Sequence, residues 1–253
     1  MSRISISDFI PPIIPRVLGY IDRTILSKNV RWPPFDQVPK DIEAKLVLDV
    51  GANVGDVTLA ALKTYSGCRV ICFEPVDATF EVLKQRLAPY ADRVTIFREA
   101  LSSKNGQSEI NITNFHGANS IMTQSKMHLS LNPHIREIGK QKISLARLDD
   151  ISKQFPDQKI DIMKIDVEGH EYDVIMGGRD FISSNVDTII AETSLMRDSS
   201  WERQSIVDVF SLLGEMGFRL INAFDLNYAK NSNLMCVQMD CVFRHVSKLD
   251  LSK

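Results

Sequence analysis

The chain has 253 residues, 44% hydrophobic and 25% charged, with 30 Lys plus Arg against 32 Asp plus Glu for a net charge of −2. That balance gives no excess charge to attract a polyanion, so no nucleic-acid partner is expected and a small molecule or glycan suits better; the length suits one α/β domain with additions. Four cysteines, Cys68, Cys72, Cys236 and Cys241, lie in apolar stretches without CxxC spacing, which excludes a disulfide framework or zinc site and reads as reduced core thiols in a cytoplasmic protein.

Residues 1–44 read as an N-terminal extension. The opening "MSRISISDFIPPIIPRVLGYIDRTIL" is apolar but broken by Pro11, Pro12 and Pro15. It lacks the ~20 continuous apolar residues of a membrane span and any small-residue cleavage site. An arm packing on the domain or on a second copy is expected, which would make a homo-oligomer, and "RWPPFDQVPKD" (31 to 41) leads into the core as a proline-rich linker.

The catalytic-size domain is expected over 45–253. Runs of strand length alternate with helical patterns: "KLVLDV" strand, "VGDVTLAALKTY" helix, "RVICFEP" strand, "ATFEVLKQRLAPY" helix, "VTIFREAL" strand. This β-α-β-α-β order predicts a doubly wound α/β fold, a parallel sheet with helices on both faces. Residues 103–147 interrupt it with "QSEINITNF", a polar stretch and "KISLARL", an insertion of added strands around a loop, placed to act as a substrate lid. The alternation resumes with "LDDISKQF" helix, "IDIMKID" strand, "HEYDVIMGG" helix stopped by Gly177 and Gly178, and "VDTIIAET" strand. "WERQSIVDVFSLLGEMG" is an amphipathic helix, and "FRLINAF" and "NLMCVQMDCVFRHV" are two strands joined too closely for a crossover helix.

The sharpest local signal is "LVLDVGANVGDVTLAAL": a strand ending near Asp49, then Gly51, Ala52, Asn53 and Gly55, then a helix. Glycines there let backbone approach a ligand where a Cβ would clash, beyond the carboxyl ends of parallel strands. The pattern is D-x-G-x-N-x-G rather than G-x-G-x-x-G. A carboxylate immediately before the turn disfavours a pyrophosphate and tolerates a cationic ligand with an amino-acid moiety. Glu74, closing the second strand before Pro75, is positioned to accept both hydrogen bonds of a ribose diol, as in NAD sites too. A dinucleotide oxidoreductase therefore stays open beside the cationic ligand, though no Tyr-x-x-x-Lys pair supports it. So does a non-catalytic binding module of the same fold.

"LDVGANVGDVTL", "FEP", "EALS" (99 to 102), "ARLDDI" (146 to 151) and above all "IDIMKIDVEGHEYDVIMGG" (160 to 178) resemble the FkbM family of S-adenosylmethionine-dependent methyltransferases over about residues 46 to 243. The resemblance implies the class I methyltransferase fold, seven strands with the last antiparallel, and O-methylation of hydroxyls on sugars, glycans or glycosylated small molecules. It implies that Asp49, Gly51, Ala52, Asn53 and Gly55 line the methionine end of the cofactor. Glu74 and Pro75 would then lie at the ribose, and Ala100 and Leu101 beside the adenine.

Methyl transfer asks the protein to align a hydroxyl and remove a proton, with no covalent nucleophile. Candidates for that step are Asp166 at a strand end, Glu168, His170 entering the next helix, and Glu192 at the end of the next strand. Glu168 has a competing role as a helix N-terminal acid, and His170 one as a capping residue. Lys164 reads as structural or as a partner for a nearby carboxylate. Asp166 and Glu192 together would suit a divalent ion orienting a substrate diol, but no ligand motif accompanies them and no metal site is predicted. His116, His128 and His134 are spaced too irregularly for zinc and are expected to face solvent or substrate. Asn119 and Ser120 have side chains suited to sugar hydroxyls or the cofactor, and equally to turn formation, and Met122 and Met127 suit a pocket, a packed core or a hydrophobic interface.

Overall fold

The computed structural model describes residues 34–122, 134–155, 159–195, 205–228 and 236–249. The expected arm before residue 34, Met127, His128 and the joint between the last two strands lie outside them. Ten strands are described: β1 (Leu46–Val50), β2 (Arg69–Phe73), β3 (Val94–Phe97), β4 (Glu99–Leu101), β5 (Gly106–Thr113), β6 (Glu137–Ala146), β7 (Ile160–Ile165), β8 (Val186–Ser194), β9 (Phe218–Tyr228) and β10 (Cys236–His245). The α-helices are α1 (Asp56–Thr64), α2 (Asp77–Leu87), α3 (Leu148–Ile151), α4 (Glu171–Gly177), α5 (Arg179–Asn185) and α6 (Ile206–Glu215). Among the described residues no helix is long and apolar enough to cross a membrane.

Seven strands form one sheet in the order β3-β2-β1-β7-β8-β10-β9. β1, β2, β3, β7 and β8 pair in parallel, and β10, last in the chain, runs antiparallel to both its neighbours. This is the class I methyltransferase arrangement expected above. Strand period divides each strand between two faces. Leu46, Leu48, Val50, Ile71, Phe73, Met163, Ile165, Ile189, Ala191, Cys241 and Phe243 belong to a core shared with α3, α4, α5 and α6. The other face carries Asp49, Cys72 and, from α1, Thr58, whose hydroxyl donates to Asp49 Oδ2 at 2.6 Å and lies 3.1 Å from Cys72 Sγ. All four cysteines are free.

Local chemistry explains the elements. α6 begins at Ser205 in a reciprocal capping box, with the Ser205 hydroxyl accepting from Asp208 N and the Asp208 carboxylate accepting from Ser205 N. Its buried Val209, Leu212 and Leu213 recur at helical spacing and face the core. Residues 34–44, read as linker and extension, pack on the domain: Phe35 is buried edge-on to Tyr65, and Arg244 makes two hydrogen bonds to the Asp41 carboxylate.

Three expectations need correction. "VTIFREAL" is two strands in different sheets, because the chain turns at Arg98: β3 ends the large sheet, whereas β4 joins β6 and β5 in a three-stranded sheet built by the insertion. Gly177 and Gly178 end α4 as expected, but a helix missing from that reading, α5, starts immediately after Gly178 and precedes the strand. β9 runs on to Tyr228, into what reads as a polar connection.

Gly177 is required by contact rather than conformation. A Cβ there would stand 1.9 Å from Ser102 O, at the exit of β4. Gly177→Ala is therefore expected to force α4 and the β4 exit apart and to cost about 1–3 kcal/mol or more, read as a lower urea midpoint at unchanged slope.

Candidate active site

The turn after β1 is held from below by its own amides. Gly51 N and Ala52 N both donate to Phe73 O at 3.0 Å, Asn53 N donates to Glu74 Oε2 at 2.9 Å, and Gly55 N donates to Ala52 O at 2.8 Å. Gly51, Asn53 and Gly55 all take positive φ, 78°, 50° and 88°. At Gly51 a Cβ would lie 1.9 Å from Asp166 O, so glycine alone lets the turn touch the loop after β7. A pyrophosphate cradle needs such amides free to point at the ligand, and here these four are engaged within the chain.

Glu74 is buried, and three donors use its carboxylate: Val76 N and the Thr79 hydroxyl on Oε1, Asn53 N on Oε2. With these donors in place, Oε2 keeps one acceptor position. Burial pushes its carboxyl up, against those hydrogen bonds. Pro75 is half-buried beside it, and its carbonyl accepts from Gln141 Nε2.

Asp49 is placed under the turn, not on its surface. It is sealed from solvent, with Oδ2 taken by Thr58 and Oδ1 without a hydrogen-bond partner, 3.8 Å from Lys164 Nζ. Lys164, on the neighbouring strand directly across from Asp49, also lies 3.2 Å from Asp166 Oδ2 and donates to Gly51 O at 3.3 Å. Burial works against its charge, but Asp166 and Asp49 outweigh it and hold the lysine pKa above its ordinary value. Burial likewise pushes the Asp49 carboxyl up despite Lys164 and Thr58.

Beyond the turn the carboxylates converge. One oxygen each from Asp166, Glu168 and Glu192 lies within 4.8 Å of the others, and all three residues are half-buried. Asp240 stands directly opposite Glu192 across β10 and β8. Burial, then the charge of Asp166, pushes Glu168, Glu192 and Asp240 up, the last to about 7. Glu168 reaches the cluster through a positive φ of 56°, followed by Gly169 at 97°. The buried Glu171 carboxylate pins that bend by accepting from Val167 N at 3.1 Å and Gly169 N at 3.2 Å.

Other expected site residues make the following contacts within the fold. His170 is buried, with Nε2 3.0 Å from the Ser102 hydroxyl and Nδ1 3.4 Å from Asp173 Oδ2; burial holds its pKa down. Leu101 belongs to the main core, and Ala100 packs with Val76, Ile110, Ile143 and Leu145. Asn119 Oδ1 accepts from Thr113 N, and the buried Ser120 hydroxyl donates to Glu168 O at 2.7 Å while accepting from Met122 N. The residues that sequence reasoning passed over are Glu171 and Asp240, and His116, expected to face solvent or substrate, is bonded to the glycine turn instead. His116 Nδ1 donates to Asn53 Oδ1 at 2.8 Å while Asn53 Nδ2 donates back to His116 O at 3.3 Å, and burial lowers the imidazole pKa. The only sequence signal for Asp240 is a lone acid in the apolar run "CVQMDCVF".

A mostly parallel seven-stranded sheet whose last strand runs antiparallel is the fold of a class I methyltransferase. Residues 49–220 match the methyltransferase FkbM domain, and the chain belongs to that family, whose members are methyltransferases that in general use S-adenosylmethionine. It is 29% identical over 144 residues to the 2-O-methyltransferase NoeI of Sinorhizobium fredii, covering 54% of this chain and 59% of that protein. It is 27% identical over 196 residues to the methyltransferase sdnD of Sordaria araneosa, covering 68% and 73%. Among solved structures, methyltransferase FkbM from Methylobacillus flagellatus KT aligns with 83% of this chain and 45% of its own at 15% identity and a TM-score of 0.49.

Burial raises Glu171 from the ordinary 4.5 to about 7. A carboxyl of this kind binds its proton more tightly when folded, so its contribution to folding is most favourable below pH 4.5 and is lost as pH rises through 7. Glu171→Gln keeps the amide acceptor and never ionises. Relative to the parent it is expected to gain up to about 3 kcal/mol of stability at pH 8 and almost none at pH 4, measured by urea denaturation at fixed ionic strength.

Proposed function

We propose that the chain is an S-adenosylmethionine-dependent O-methyltransferase acting on a hydroxyl of a sugar, glycan or glycosylated small molecule. The observation that carries this reading is the glycine turn with its amides engaged, set against the carboxylate cluster of Asp166, Glu168 and Glu192 at the carboxyl edge of the sheet. A turn whose amides are engaged within the chain gives a pyrophosphate no cradle, and family membership favours methyl transfer over the hydride transfer of a dinucleotide enzyme. The printed name of the relative NoeI, a 2-O-methyltransferase, supports oxygen as the acceptor atom.

S-adenosylmethionine supplies an activated methyl carbon when bound. The residues present fit it: the half-exposed backbone of Gly51 and Asn53 suits the amino-acid end, and the remaining acceptor position on Glu74 suits one ribose hydroxyl. Asp166 is the member of the cluster with a cation beside it, and we assign it to take the proton from the acceptor hydroxyl while Lys164 balances the charge. Asn119 and Ser120 hold the edge of the insertion that covers the acceptor, with Ser120 tied to the Glu168 carbonyl.

Calorimetry should detect S-adenosylmethionine binding and no heat with NAD; the reverse would end the methyltransferase reading. Asp166→Asn is expected to keep cofactor affinity within a few-fold and to lose about 100-fold or more in turnover, followed by transfer of labelled methyl groups to a panel of sugars and glycosylated compounds. Normal turnover by that variant would remove Asp166 from the proton step.

A further inference from the structure

We propose that His116 is a positioning residue of the cofactor site: it sets the side-chain amide of Asn53 on the glycine turn, so that cofactor binding and the seating of residues 116–118 on that turn strengthen each other. This rests on the methyltransferase reading, which puts the amino-acid end of S-adenosylmethionine at Gly51 and Asn53. The contact is reciprocal. Asn53 Nδ2 donates to His116 O at 3.3 Å, so it is Asn53 Oδ1 that faces His116 Nδ1 at 2.8 Å, and an acceptor there requires the imidazole proton on Nδ1. Nε2 is then the unprotonated nitrogen, buried and without a hydrogen-bond partner among the described residues. A second proton would bury an N–H with nothing to accept it, and burial disfavours that charged form.

Two features separate this pair from ordinary packing. First, the turn needs no brace from it: the amides of Gly51, Ala52, Asn53 and Gly55 already have acceptors, and Arg86 Nη1 donates to Val54 O at 2.7 Å. What His116 adds is the orientation of one side-chain amide, which is otherwise free to turn end for end. With both bonds made, Asn53 Nδ2 keeps one N–H and Oδ1 one lone pair, a donor for the carboxylate and an acceptor for the ammonium of an amino-acid moiety. Second, the histidine stands on a built support. It opens the short 3-10 turn His116–Ala118. The Thr113 hydroxyl donates to Phe115 O at 2.6 Å, and Asn119 Oδ1 accepts from Thr113 N at 2.8 Å. The His116 ring stacks with Phe115 at 5.6 Å between centroids, and Gly117 leaves room for that ring, since a Cβ there would stand 2.9 Å from it. A partner held this way orients Asn53 at lower entropic cost than a loop ordered on binding.

The test uses the full chain and S-adenosylmethionine alone, titrated by calorimetry well below the melting temperature. His116→Asn places an amide nitrogen where Nδ1 stands and keeps the donor; His116→Phe keeps a ring against Phe115 and loses the donor. The Phe variant is expected to bind cofactor about fivefold more weakly, the effect of one lost hydrogen bond, and the Asn variant within about twofold of the parent. A role in packing alone gives the opposite order. Coupling between two sites is reciprocal, so saturating cofactor should slow backbone hydrogen exchange over residues 113–118 in the parent, and by less in the Phe variant. An Asn variant that binds no tighter than the Phe variant overturns the assignment. So does exchange over 113–118 that cofactor leaves unchanged in the parent, a result that needs no variant to fold. Cofactor that binds parent and both variants alike overturns this assignment alone, whereas cofactor that fails to bind the parent overturns the methyltransferase reading and this assignment together.

Discussion

A single buried ammonium organises the reactive end of this sheet. Lys164 lies between Asp49 on β1 and Asp166 after β7, and its third contact is the carbonyl of Gly51. Taking these charges out of water costs several kcal/mol per ion unless partners replace the lost hydration. Here they do so in part: Thr58 donates to one Asp49 oxygen, the other has only Lys164 at 3.8 Å, and the carboxylates on either side keep the lysine charged. The consequence is geometric. Two strand ends are locked together so closely that the Asp166 carbonyl occupies the space a Gly51 side chain would need. A neutral pair could pack as densely, but it would leave Asp166 without a counter-charge.

The insertion extends that lock to both sides of the crevice. His116 exchanges two hydrogen bonds with Asn53 on the glycine turn, and Ser120 reaches the backbone of Glu168 on the acid loop. One segment thus contacts the elements proposed to hold cofactor and to handle the acceptor. Its own rigidity comes from β4, β5 and β6, with Ile110, Ile143 and Leu145 packed beneath. Covering residues fixed at two points position an acceptor at lower entropic cost than a free loop would.

What the sequence made legible was local. The alternation of strands and helices, the glycine turn and the paired ends at Asp166 and Glu192 follow from periodicity and residue type, because each depends on neighbours within a few positions. Misreadings arose where tertiary contact decides. Nothing within "VTIFREAL" says that Arg98 separates two sheets, since Ala100 and Leu101 each look like one more strand residue and are claimed by different cores. His170 has the position of a catalytic histidine, yet Ser102, sixty-eight residues earlier, takes its ring. Glu74 looks free at a strand end until Thr79, Val76 and Asn53 fill its oxygens. Asp240 could be found only from register, as an antiparallel partner for Glu192 is not written in either strand.

Strand periodicity also separates stability from chemistry. On one face of β7, β8 and β10, Met163, Ile165, Ile189, Ala191, Cys241 and Phe243 form the core with four helices. On the other, the same strands carry Lys164, Glu192 and Asp240, and Asp166 follows in step. Like charges in facing positions weaken strand pairing, so this row opposes the fold that displays it. The cost is tolerable because the apolar face and the backbone ladder do not depend on it, and it is local because Lys164 absorbs part of it. Uncompensated groups of this kind concentrate where proteins bind and react rather than where they merely fold. The unfavourable row, more than the glycine turn, therefore distinguishes this chain's working edge from an ordinary strand end of a parallel sheet.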